Sequence, residues 1–70
     1  MIPLNLADPE KPQTVKRIGG TPEAKKHLEN LGFHIGSEVC VVNTLAGNVI
    51  VRVKESRIAV SDELARKIYV

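Results

Sequence analysis

Leu28-Glu29-Asn30-Leu31-Gly32-Phe33-His34-Ile35-Gly36 is the stretch whose reading decides how this chain folds. It ends one helix and aims the chain at a strand. Ala24, Leu28 and Leu31 fall at i, i+4 and i+7, so they share one helical face. Upstream, Thr21 offers an N-cap oxygen and Pro22 suits the first helical position. Gly32 supplies the left-handed residue that stops a helix. Phe33 follows at once and is steered by that stop. Gly36 bends the chain again before Glu38-Val39-Cys40-Val41-Val42. The spacing therefore predicts a short helix over Pro22 to Leu31, an aromatic plug at Phe33 and a strand from Glu38.

Before the helix, Pro9 and Pro12 bracket a polar loop, so residues 1–13 read as a lead-in arm that Leu4 and Leu6 tack onto the body. Thr14 to Ile18 reads as a first strand, ended by Gly19-Gly20. After Gly36 the apolar period changes to two. Val39 and Val41 share one face, with Cys40 and Val42 on the other. Leu45-Ala46-Gly47-Asn48 is a hairpin connection. Val49, Val51 and Val53 alternate with Ile50, Arg52 and Lys54, the pattern of a strand with one buried and one largely wet face. Lys54-Glu55-Ser56-Arg57 turns the chain, and Ile58 and Val60 share a face beyond it. Ser61 caps a helical turn whose acids, Asp62 and Glu63, suit a helix N-terminus. Leu64 and Ala65 point that turn inward, and Ile68 and Val70 close the chain as a last short strand. The expected core is Ile18, Leu28, Leu31, Phe33, Ile35, Val39, Val41, Val49, Val51, Val53, Ile58, Val60, Leu64 and Ile68. The class is mainly β: about five short strands, one short α-helix and a helical turn before the last strand, forming a partly open barrel. Barrel closure removes exposed strand edges, which a small domain must otherwise protect.

Seventy residues make one small domain, 1–70. A chain of this size buries only about 60% of its unfolded surface and folds with little margin. The single cysteine, Cys40, has no partner for an internal disulfide, and a lone thiol fits a reducing compartment. Ten basic and eight acidic side chains give a formal net charge of +2, too balanced to argue for nucleic acid. Ile2-Pro3-Leu4-Asn5-Leu6 is too short and interrupted for a signal sequence. No apolar run approaches the roughly 20 residues that span a bilayer. The expectation is a cytoplasmic protein that crosses no membrane.

The chain closely resembles the FeoA family, ferrous iron transport protein A, from about Thr14 to Val70. The segments that carry the likeness are Val15-Lys16-Arg17-Ile18-Gly19-Gly20, His27-Leu28-Glu29-Asn30-Leu31-Gly32-Phe33 and Gly36-Ser37-Glu38-Val39. Then come Gly47-Asn48-Val49-Ile50-Val51-Arg52-Val53-Lys54, Ser56-Arg57-Ile58-Ala59-Val60 and Ala65-Arg66-Lys67-Ile68-Tyr69-Val70. Their combination in order is specific; any one alone is weak. Glu55 departs from the family at a turn position where many relatives carry Gly, and Asp8-Pro9-Glu10-Lys11-Pro12 is richer in proline than usual. The resemblance implies an SH3-like barrel. It also implies a small cytoplasmic accessory protein of ferrous iron uptake, whose partner is the membrane Fe2+ transporter GTPase, FeoB.

The residues offer little chemistry of their own. His27, His34 and Cys40 are candidate metal ligands, with Glu23, Glu29 and Glu38 nearby in sequence. Glu23 and His27 share a helical face, a spacing that suits a surface pair as well as a metal. No His-x-x-x-His, Cys-x-x-Cys or Asp-rich loop occurs, so no metal or cofactor site is assigned. Cys40 sits between apolar neighbours, where thiols are inert. Gly19-Gly20 lacks the Lys-Ser or Lys-Thr of a phosphate loop. No catalytic residue is legible, and the expectation is a non-enzyme. A proline-rich ligand needs an aromatic groove. With no Trp, and Phe33 assigned to the core, only Tyr69 remains. The same shortage disfavours single-stranded nucleic acid.

What remains is surface. Arg52, Lys54 and Arg57 surround the second hairpin, with Arg66 and Lys67 as candidates to join them. Leu45 is an apolar residue at a hairpin tip. Leu45, Arg52, Lys54 and Arg57 are therefore the expected partner-binding residues of a non-enzymatic adaptor. The alternative is a metal-sensing module akin to the SH3-like domain of iron-dependent repressors. The start at Met1 and the lack of a helix-turn-helix count against a repressor.

Overall fold

The computed structural model describes all residues, 1–70. A 3₁₀ turn over Leu4–Leu6 precedes β1 (Pro12–Thr14), β2 (Arg17–Ile18), α1 (Pro22–Asn30), β3 (Glu38–Leu45), β4 (Asn48–Val53), β5 (Ser56–Ser61), α2 (Asp62–Ala65) and β6 (Ile68–Tyr69). Six strands form two antiparallel sheets, one in the order β1-β3-β4-β5 and one pairing β2 with β6. The fold is mainly β and SH3-like, with an open sheet in place of a closed barrel.

The helix forms as its residues dictate. Thr21 Oγ1 accepts from the Ala24 N–H (3.2 Å), and Pro22 fills the first helical position. At the far end the Phe33 N–H donates to the Leu28 carbonyl (3.0 Å) and the Gly32 N–H to the Glu29 carbonyl (3.0 Å). This is a Schellman closure, with Gly32 at φ 108° as the left-handed residue. Its hydrophobic clasp is Phe33 against Leu28, both fully buried. Leu31 lies just past the last helical residue and is only half-buried, packed against the core.

Three sequence expectations are corrected. Ile35, placed in the core, is 71% exposed. The Ser37 N–H donates to the His34 carbonyl (2.9 Å) and Gly36 has φ 93°, so Ile35 occupies the tip of a tight turn. Thr14 to Ile18 is not one strand. The chain leaves β1 for the other sheet between Thr14 and Arg17. Val15 is pinned at that crossing by its N–H to Ser37 (2.9 Å) and its carbonyl from Gly36 (2.7 Å). Val15 and Ile18 are therefore both buried in the one core, although in a single strand they would lie on opposite faces. Leu6 does not tack the arm down; it is 67% exposed, whereas Leu4 is fully buried. The arm is held by the burial of Leu4 and Ala7 in the core and by backbone pairing. Ile2 and Val70 exchange two hydrogen bonds of 2.9 Å each, and Pro3 bridges Tyr69.

The inner face of the large sheet carries Val39, Val41, Val49, Val51, Val53 and Val60, all buried. They join Phe33, Leu28, Leu4, Ile68 and Val70 in one core cluster, with Ile58 and Leu64 half-buried against it. The register shifts between Val41 and Asn43, which places a bulge at Val42 and bends β3. Ser61 Oγ accepts from the Leu64 N–H (3.2 Å) and starts α2, which buries Ala65 fully.

Candidate functional site

The outer face of the large sheet is built by alternation. On β4 the inward residues are Val49, Val51 and Val53, so Asn48, Ile50 and Arg52 point outward. The β4–β5 register pairs Arg52 with Arg57, Ile50 with Ala59 and Val53 with Ser56. Two guanidinium side chains therefore stand directly opposite each other on the wet face. Like charges so placed repel. Neither has a carboxylate within 4.0 Å, because the chain's only ion pairs are Lys11–Asp8 (3.5 Å) and Arg66–Asp62 (2.8 Å).

Lys54 joins this pair. It sits in the two-residue turn between β4 and β5 at φ 57°, a strained conformation for a residue with a Cβ. The positive φ falls on Lys54 and not on Glu55, the position at which the family resemblance implies a glycine. Arg52, Lys54 and Arg57 are all exposed and share one end of the β4–β5 hairpin.

Leu45 is 66% exposed but lies elsewhere. It pairs with Asn48 at the β3–β4 turn, so the length of β4, roughly 17 Å, separates it from the basic end. Arg66 and Lys67 do not join the basic group. Arg66 is held by Asp62, and Lys67 folds its methylenes over Gly20 at the β2–β6 side. Sequence reasoning also missed that Tyr69 is covered, with the Arg17 guanidinium 5.7 Å from its ring centroid.

His27 is exposed on α1 and His34 is exposed in the loop after it. Cys40 is buried between β1 and β4, with Sγ 3.8 Å from the Val41 carbonyl. No three His, Cys, Asp or Glu side chains converge. No helix is long and apolar enough to cross a membrane.

The structure is thus a half-open SH3-like sheet that carries a basic hairpin without carboxylate partners on its wet face. The FeoA domain model matches residues 2–70, and the chain belongs to that family, the accessory proteins of ferrous iron transport. A Methanocaldococcus jannaschii protein bearing the name Fe(2+) transport protein A is 37% identical over 70 residues, covering 100% of this chain and 85% of its own. The crystal structure of an iron uptake regulatory protein, FeoA, superposes with a TM-score of 0.86 at 27% identity, over 96% of this chain and 89% of that one. The fold is shared more widely. A manganese-dependent transcriptional repressor matches with a TM-score of 0.86 at 21% identity, over 96% of this chain but 39% of its own. That likeness is one of fold alone.

Proposed function

We propose that this chain is a non-enzymatic adaptor, resident in the cytoplasm, that docks on the membrane GTPase that carries Fe2+ inward, FeoB. The observation that most supports this reading is the Arg52–Arg57 pair, like charges held face to face with no internal carboxylate. A side-chain arrangement that costs stability in the free domain is relieved by an acidic surface on a partner. The transporter relationship is carried by family membership and by the names of the relatives. The docked domain changes transport by binding one conformation of the transporter more tightly than another, since only differential affinity shifts a population.

The test is binding of the immobilised domain to detergent-solubilised transporter at low and high salt. Arg52→Glu combined with Lys54→Glu weakens association and leaves folding intact; reversed charge at an interface rim acts mainly on the on-rate and its salt dependence. Leu45→Asp, at the far end of β4, raises the off-rate if that tip is an apolar anchor. If every variant folds and binds like the parent at both salts, the partner site lies on another face. Anaerobic calorimetry with Fe2+ separates the alternative sensor reading. The adaptor shows no saturable micromolar site; a sensor shows one, and loses it when His27 or His34 is changed.

A further inference from the structure

The large sheet has two outer edges, and the sequence treats them differently. The β1 edge is three residues long and contains Pro12. The Glu10 N–H already reaches the Val41 carbonyl (2.6 Å), and Gln13 pairs with Val39. By alternation Pro12 faces away from β3, where its missing N–H removes the donor an incoming strand would use. The β5 edge has no such guard. It runs six residues, Ser56–Ser61, in continuous register with β4, without proline or bulge. Val53 and Ser56 close a two-residue hairpin, so theirs is a hydrogen-bonded pair and the alternate residues of β5 turn their backbone outward. Short of Ser61, which caps α2, those residues are Arg57 and Ala59. Both are exposed, and no segment of the chain hydrogen-bonds to their backbone on that side.

We propose that the β5 edge receives an extended segment of the partner protein as an added strand. This proposal rests on the adaptor reading and deepens it. The incoming strand pairs with the N–H and C=O groups of Arg57 and Ala59, as in strand addition to other open sheets. Its side chains alternate. Those on the outer face lie beside Arg57 and, one strand further, Arg52, so an Asp or Glu there meets two unpaired guanidinium groups. Those on the inner face lie against Ile58, left half-buried, so an apolar residue completes the core edge. Edge strands often carry one charge to discourage pairing. That accounts for Arg57 but not for Arg52, which sits on an interior strand. A second copy of this chain is a poor occupant. β5 has no acidic residue, and pairing it with itself would bring a second Arg52–Arg57 pair toward the first.

The probe is a blocked peptide of alternating valine and glutamate, matched in length to β5, titrated into the isotope-labelled chain and followed by amide NMR. We expect saturable shifts centred on the Arg57 and Ala59 amides. N-methylation of the peptide backbone, which removes its donors and leaves its charge, weakens binding about tenfold or more. Ala59→Pro does the same while sparing the bonds to β4, and Arg57→Glu abolishes the preference for glutamate over lysine peptides. A melt of each variant checks folding, and the N-methyl control needs no variant. The proposal is overturned if the N-methylated peptide binds equally, if millimolar peptide moves other amides or none, or if protein concentration alone shifts Arg57 and Ala59. Transporter binding keeps the two readings apart. If Arg57→Glu weakens it and Ala59→Pro does not, the adaptor stands and strand addition falls. If the parent chain binds no transporter while the peptide result holds, the edge site stands and its partner is another acidic protein.

Discussion

Phe33 is where the local chain and the global fold meet. Gly32 at φ 108° sets its direction, and its ring is wholly buried in the core cluster. Truncating a buried Phe typically costs about 3–5 kcal/mol. A single small core seldom supplies more than about that much net stability. Phe33→Ala is therefore expected to be largely unfolded at room temperature, and circular dichroism with a thermal melt checks it; a parental melt would make Phe33 peripheral. Gly32 is sensitive for two separate reasons. A Cβ there stands 3.3 Å from Val53 Cγ1, and the backbone angle disfavours any L side chain. Gly32→Ala is expected to lose about 1–3 kcal/mol, read as a lower urea midpoint with an unchanged slope. At Gly36, by contrast, an added Cβ meets nothing within 4 Å. Backbone conformation alone is at stake at that position.

At the scale of elements, the two hairpins differ in the quality of their turns. Ala46-Gly47 connects β3 and β4 with φ values of 52° and 80°. Positive φ at both central residues is the type I′ arrangement, which favours Asn-Gly. Ala46→Asn is therefore expected to stabilise the domain by up to about 1 kcal/mol, because Asn tolerates the left-handed conformation that costs other residues about 1–2 kcal/mol, a rise of a few degrees in Tm. A fall in Tm would mean that the turn is not of this type in solution. The second hairpin places Lys54 at φ 57°, so its tip carries both strain and charge. Lys54→Gly is expected to raise Tm and, if the basic end is the partner site, to weaken transporter binding. Opposite signs in the two measurements would separate a functional lysine from a merely tolerated one. The hairpin pattern itself was legible in the alternation of Val49, Val51 and Val53. The bulge at Val42 was not, because an unopposed residue leaves no mark on a period of two.

At the scale of the molecule, the N-terminal arm and the C-terminal strand hold each other. Ile2 pairs with Val70, Lys16 with Tyr69 (2.8 Å) and Gly19 with Lys67 (2.7 Å). Removing residues 1–6 should strip the cover that Leu4 gives the core. The truncated chain is expected to melt well below the parent, by differential scanning calorimetry, even though it keeps every large-sheet strand. If its Tm is unchanged, the arm is dispensable decoration and the burial of Leu4 contributes nothing. The same long-range pairing explains which core residues the sequence reading overlooked. Ala7, Val15 and Val70 are buried by segments far away in the chain, not by their own periodicity, whereas Leu4 was read as packing the arm onto the body.

The sequence by itself determined the helix, its stop, both hairpins and the inward valines, because each rests on contacts within a few residues. Capping, positive φ and period-two alternation are local physics. It also identified Arg52 and Lys54 as exposed, by alternation against the buried valines, and placed Arg57 and Leu45 at hairpin turns, where they too are exposed. Only the tertiary structure decided that Thr14 to Ile18 splits between two sheets, that Ile35 rides a turn in solvent, and that Leu45 stands apart from the basic end. It alone set Arg52 against Arg57 and left one edge of the sheet open. Those facts depend on strand order and register, which are fixed by packing among distant segments and by where the chain crosses between sheets.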